Sequence, residues 1–222
     1  MTTDSLNATA QPTIQLPTPQ LDGPCSIEKT LATRRSIRDF RNEPMSLSML
    51  SQLVWAAQGV TRKEDAPQGW MWGPWSGGKR TAPSAGAMYP LELYVVAGNV
   101  EGLKPGIFKY QSQTHGLAVV SEGNRRSQMS TRGPGQKWIE GAPVLFVVAG
   151  VPARLEPRFG DRSARYLHFE VGHVVENICL QAVALGLGGT VVGSFVDAVV
   201  KQIVGMPEEE SPLAIVPVGW GK

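Results

Sequence analysis

Apolar residues recur every three or four positions from Leu47 through Leu50, Leu53 and Val54 to Ala57, with Ser46 ahead of them and Gly59 behind. That period, an N-capping serine and a terminating glycine predict a helix. A longer pattern of the same period, Leu167, Val171, Val174, Val175, Ile178, Ala182 and Leu185, lies between Ser163 and Gly186 and predicts a core or interface helix with a wide apolar face. Ser26 can cap a short helix through Thr33, with Glu28 in its first turn and Ile27 and Leu31 four apart on one face. Alternation takes over in LELYVVAG (91–98), and IFKY and LAVV flank QSQTHG as a hairpin. The run APVLFVVAG (142–150) is apolar throughout, as a strand buried on both faces would be. TVVGSF, a short helix from about Asp197 to Gly205 and the strand LAIVPVG close the chain, which reads as an α+β fold.

Composition narrows the class. The 222 residues, 42% of them hydrophobic, can bury one sizeable core. With 21 basic and 19 acidic residues there is no broad basic field, which argues against nucleic acid as a partner. Cys25 and Cys179 stand far apart without a CxxC pair, so neither a disulfide framework nor a zinc site is indicated, in keeping with a reducing cytoplasm. The N-terminus lacks the charged start and apolar run of a secretory signal, and no stretch approaches a membrane span. Residues 1–25, punctuated by Pro12, Pro17, Pro19 and Pro24, read as an extended arm ahead of a single domain at 26–222.

Three segments carry candidate chemistry. TRRSIRDF (33–40) places Arg34, Arg35, Ser36 and Arg38 at a helix end. This is either a solvated terminus whose cations face the last carbonyls or a clamp for an anion, since guanidinium forks match phosphate bidentately. In RTAPSAGAMYP (80–90) the small residues around Pro83, Ser84, Ala85 and Gly86 form either an ordinary tight turn or a surface a flat ligand could approach closely. Upstream, Trp70, Trp72 and Trp75 serve as packing, at an interface or on the domain, or as an aromatic lid.

GLGGTVVG (186–193) is not a dinucleotide fingerprint, because its glycines close a helix and lead into a strand rather than the reverse. They can end the helix and leave backbone N–H groups to face a ligand. GGKRT (77–81) lacks the hydroxyl residue a P-loop needs after its lysine. His168 and His173 are five apart, which is not metal-ligand spacing, and no metal site is expected. Glu170 and Glu176 are acids on the long helix that the spacing does not single out, and Cys179 is expected to be inert core. With no nucleophile arrangement in view, the chemistry points to a bound cofactor.

Taken in order, Arg34-Arg35-Ser36-x-Arg38-x-Phe40, the helix LSQLVWAAQG, the phrase PSAGAMYPLELYVV and a long helix ending in GLGGTVVGSF before PVG resemble the FMN-dependent nitroreductase superfamily from about Ile27 onward. Within it they look most like the SagB-type, azoline-dehydrogenase-like branch. The resemblance implies an intertwined homodimer with a mixed central sheet flanked by helices. FMN would lie at the interface, with Arg34, Arg35 and Ser36 on its phosphate and ribityl chain and Arg38 on the ribityl or pyrimidine edge. It would further place Pro83–Gly86 of the other subunit against the flavin and Val192 and Gly193 near N5, with Lys222 a poor match for the phosphate.

Family members that reduce nitroaromatics carry Asn and Gln where this chain has Ala87 and Tyr89, so the amide contact to flavin is absent. The implied activity is ping-pong hydride transfer between NADH or NADPH and a conjugated small-molecule acceptor. Two alternatives stay open: a dehydrogenase acting on azolines of a peptide or other natural product, and a flavin-binding protein without turnover. The resemblance names no catalytic residue here, and Lys109-Tyr110 is not assigned to the branch's Lys-Tyr pair.

Overall fold

A computed structural model describes residues 13–63 and 78–222, so Trp70, Trp72 and Trp75 lie outside the described residues. Among the described residues nine strands and six α-helices follow one another: β1 (Thr13–Gln15), α1 (Ile27–Thr33), α2 (Leu47–Gln58), β2 (Val60–Arg62), β3 (Lys79–Arg80), β4 (Leu91–Ala97), β5 (Gly106–Gln111), β6 (Gly116–Glu122), α3 (Arg126–Arg132), β7 (Val144–Gly150), α4 (Glu156–Phe159), α5 (Ser163–Ala184), β8 (Gly188–Gly189), α6 (Asp197–Val204) and β9 (Ser211–Gly219). Seven strands form one sheet in the order β1-β6-β5-β4-β7-β9-β8, and β2 pairs with β3 in a separate ribbon. Every ladder is antiparallel. Among the described residues parallel pairing is confined to the isolated bridges Ser36–Gly189 and Met45–Val100.

The periodicities explain the layering. Along β4, Leu91, Leu93, Val95 and Ala97 enter the core built with α2 and α5, while Tyr94 and Val96 enter a second core on the opposite face with α3 and α6. β7 lies between β4 and β9 with every residue buried, which is why its sequence shows no alternation. On α5, Leu167, Val174, Val175, Ile178 and Ala182 are buried, with Val171 and Leu185 packed against the same core.

Caps fall where their residue types suggest. The Ser26 and Ser46 side chains accept from the backbone N–H groups of Lys29 and Met49. Gly59 does end α2, but not through a left-handed turn, since its φ is −64°. A Cβ there would run into the Trp55 ring, so close approach is what requires glycine.

Part of the arm is stitched to the domain. β1 adds an edge strand by pairing Thr13–Gln15 with Gly116–Ala118, and Leu16 enters the core. The Pro17 carbonyl accepts from Ser51 Oγ and lies 3.0 Å from His115 Nε2. Gln20 and Gln52 exchange two hydrogen bonds of 2.8 and 3.0 Å. Among the described residues no helix is long and apolar enough to cross a membrane.

Candidate functional site

The arginine segment leaves α1 and lies along β8. Ser36 bridges Gly189, and Ile37 N–H donates to the Gly189 carbonyl at 3.1 Å. Gly186, at φ +74°, turns the chain out of α5, while Gly188 leaves room that a Cβ would take from Ile37. Gly188→Ala is therefore expected to push Ile37 away and cost about 1–2 kcal/mol, readable as a lower urea midpoint.

A second junction brings in the C-terminus. Phe40 bridges Gly221, the Lys222 N–H donates to the Asp39 carbonyl, and Lys222 Nζ sits 2.9 Å from Asp39 Oδ1. The sequence resemblance left Lys222 as a poor match for the phosphate, and the fold places it against Asp39, next to Arg38 in the chain. Arg34 pairs loosely with Glu176 of α5 at 3.6 Å, and Arg35 Nη1 donates to the Ala32 and Arg34 carbonyls. Among the described residues neither Arg35 nor Arg38 has a carboxylate partner, and both are exposed along with Ser36. Cations with an exposed hydroxyl and no neutralising acid suit a phosphate ester.

Val192 and Gly193 divide in role. Val192 is buried, donates its N–H to the Ile215 carbonyl at 2.8 Å and accepts from Ile215 N–H at 3.0 Å. Its N–H and carbonyl are therefore both paired with β9 in the single chain. Gly193 is exposed with open space on its Cβ side, and it keeps the candidate role.

The Pro83–Gly86 loop is braced from below by α5. Glu170, 3% exposed, accepts on one carboxylate oxygen from Ser84 Oγ and Ala85 N–H, each at 2.9 Å. Ser84 Oγ in turn accepts from Tyr89 N–H at 2.8 Å. That hydroxyl and that amide are thus used internally, and the loop presents shape rather than those two donors. Gly86, Ala87 and Tyr89 all take positive φ values, of 60°, 53° and 46°. Two of the three carry side chains, so the loop stores strain that this bracing holds in place.

Burial raises the Glu170 carboxyl to about 7, against the opposing pull of its bonds to Ala85 and Ser84. No spacing in the sequence singled this acid out, because its partners are 85 and 86 positions away. Cys179, buried on the same helix with its thiol raised to about 11, behaves as inert core.

Glu170 and Glu176 are six residues apart on α5, a rise of about 9 Å, and point to different sides of the helix. One holds the small-residue loop and the other touches the arginine segment. Among the described residues no hydrogen bond or bridge joins those two segments directly. The site thus consists of an open cationic strip and, separately, a rigid small-residue platform, an arrangement suited to a bound anionic cofactor rather than to side-chain nucleophilic catalysis.

Residues 31–220 match the nitroreductase family, and the chain belongs to that family of oxidoreductases. It is 36% identical over 193 residues, 87% of this chain and 90% of the other, to a protein of Methanocaldococcus jannaschii named as a nitroreductase. The fold superposes on a Ralstonia eutropha crystal structure named likewise with a TM-score of 0.78 and 27% identity, covering 96% of this chain and 91% of that one. A more distant likeness, 26% over 131 residues, covers 57% of this chain and 35% of the trifolitoxin-processing protein of Rhizobium leguminosarum.

Proposed function

We propose that the chain is an FMN-dependent oxidoreductase acting as a homodimer, with NADH or NADPH as donor and a conjugated small molecule as acceptor. The observation that carries this reading is the exposed strip of Arg35, Ser36 and Arg38, without acidic partners among the described residues and extended by Arg34 and Lys222. Bound FMN would supply two-electron hydride transfer at N5 between donor and acceptor.

The chain's own residues bind and shape. Arg34, Arg35 and Ser36 would hold the phosphate and ribityl chain, and Arg38 the ribityl or pyrimidine edge, where its charge favours added electron density. Gly193 offers backbone beside the ring. Pro83–Gly86 of a second copy would supply a stiff surface, with the Ser84 hydroxyl and the Ala85 N–H already donating to Glu170. Glu170 is thereby a positioning residue rather than a catalytic one.

A second copy also accounts for apolar surface that one chain leaves open. Ile27 and Leu31, four apart on α1, are 55% and 57% exposed, and Phe169, Val191 and Val196 are exposed as well. These residues flank the arginine segment, α5 and the Val192–Gly193 turn, which is where a partner's loop would have to enter.

The test is a visible spectrum after adding FMN and desalting, followed by anaerobic NADPH or NADH. Retained peaks that bleach are the expected result; absence of retained flavin sinks the proposal. A dehydrogenase acting on azolines in a peptide or other natural product is the second reading, favoured by Ala87 and Tyr89 in place of amides and by the distant likeness to a toxin-processing protein. Retained flavin that resists both nicotinamides but turns over with oxygen and an azoline would select it.

A further inference from the structure

β4 and β5 pair only from Tyr94–Lys109 to Ala97–Gly106, whereas β4 stays paired with β7 back to Leu91. Past Lys109, β5 follows β6 into their hairpin instead. The two strands diverge, and a cavity of about 530 Å³ opens between them, with Gln58, Arg80, Leu91, Leu93 and Tyr110 among its walls. That volume lies within the range of small-molecule sites.

Arg80 is the group in this cavity that lacks a counterpart. Its Nη1 donates to Gln58 Oε1 at 2.9 Å and its guanidinium sits 4.4 Å from the centre of the Tyr89 ring. Its Nε is buried with no hydrogen-bond partner, and among the described residues no carboxylate pairs with it. Glu92, the acid on the same wall, is already paired with Arg154 and with Lys109. Lys109 is also paired with buried Glu210, so Arg80, Lys109 and Arg154 face Glu92 and Glu210, and one positive charge is left uncompensated. A desolvated guanidinium in that condition is costly unless an anion meets it, and burial accordingly lowers its pKa.

With Nη1 taken by Gln58 and Nε closed off from the cavity, Nη2 is the nitrogen left to donate a charge-assisted hydrogen bond to an anion. Leu91, Leu93 and Tyr110 provide apolar surface beside it. We propose that this cavity binds a small aromatic or aliphatic carboxylic acid, anchored by its carboxylate on Arg80. The single excess charge matches a monoanion, and none of these residues belongs to the proposed flavin strip, so the inference stands apart from the flavin reading.

Calorimetric titration and thermal melts of the full chain with benzoate, and with benzyl alcohol as its neutral counterpart, test this with and without added FMN. Benzoate should bind and raise Tm, benzyl alcohol should do neither, and Arg80→Gln should weaken benzoate at least about tenfold. Equal effects of the two probes, no binding of benzoate, or unchanged affinity in Arg80→Gln would overturn the proposal. Should Arg80→Gln fail to fold, a crystal of the unmodified chain with benzoate decides: a carboxylate within hydrogen-bond distance of the Arg80 guanidinium supports it, and an empty cavity refutes it. No arm reads flavin chemistry, so failure here leaves the FMN assignment untouched.

Discussion

Replacing Glu170 with alanine is expected to destabilise the chain at pH 5 by about 2–4 kcal/mol, because Ser84 Oγ and Ala85 N–H lose their shared acceptor and a side-chain cavity is left behind. Glutamine keeps an acceptor oxygen and should cost far less at that pH. The two variants separate further as pH rises. The folded carboxyl titrates at about 7 against an ordinary value of 4.5, so between those values the native state holds a proton that the unfolded state has released. Stability should therefore fall across that window, by on the order of 3 kcal/mol, and level off above about pH 7.

Glu170→Gln should remove this slope and be more stable than the unmodified chain at pH 8. For Glu170→Ala the deficit should shrink toward pH 8, where the unmodified chain carries the cost of a buried charge. Urea unfolding at pH 5 and pH 8 reads all three proteins. An unchanged slope in Glu170→Gln would mean that the pH dependence arises elsewhere, and a deficit under about 0.5 kcal/mol in Glu170→Ala at pH 5 would remove the bracing role.

The second large effect concerns the cationic strip. Arg34→Ala with Arg35→Ala should weaken FMN binding at least about tenfold, since a charge-assisted phosphate contact contributes roughly 1.5–3 kcal/mol. The fold should survive, because what the pair loses within the chain is an exposed ion pair to Glu176 at 3.6 Å and hydrogen bonds to local carbonyls. Equilibrium titration of flavin fluorescence gives the affinity, and circular dichroism with size-exclusion chromatography reports fold and assembly. Raising the salt concentration should erode the affinity of the unmodified chain more than that of the double variant. Equal affinity in the two proteins would return the arginines to a solvated helix end.

Local signals in the chain were sufficient for most of the architecture. The apolar period and the capping serines placed α1, α2 and α5 close to their observed ends, because a cap and a helical face are decided within a few residues. An unbroken apolar run sufficed for β7, and two apolar runs around QSQTHG sufficed for the β5–β6 hairpin. The β1 strand gave no such signal: three residues in a proline-punctuated arm become a strand only because the β6 edge is there to pair with.

Where each polar group spends its hydrogen bonds is a different matter. By itself the sequence determined that arginines cluster at 34–38, that small residues precede β4 and that glycines close α5, since residue type and spacing are local properties. Only the tertiary structure decided that Glu170 consumes the Ser84 and Ala85 donors, that Ile215 consumes those of Val192, and that Arg80 is left without an anion. It likewise carried Lys222 to Asp39 across the whole length of the domain. These outcomes depend on partners tens to more than a hundred positions apart, brought together by sheet order and helix packing, and burial then sets which of the remaining groups must look outside the chain for a partner.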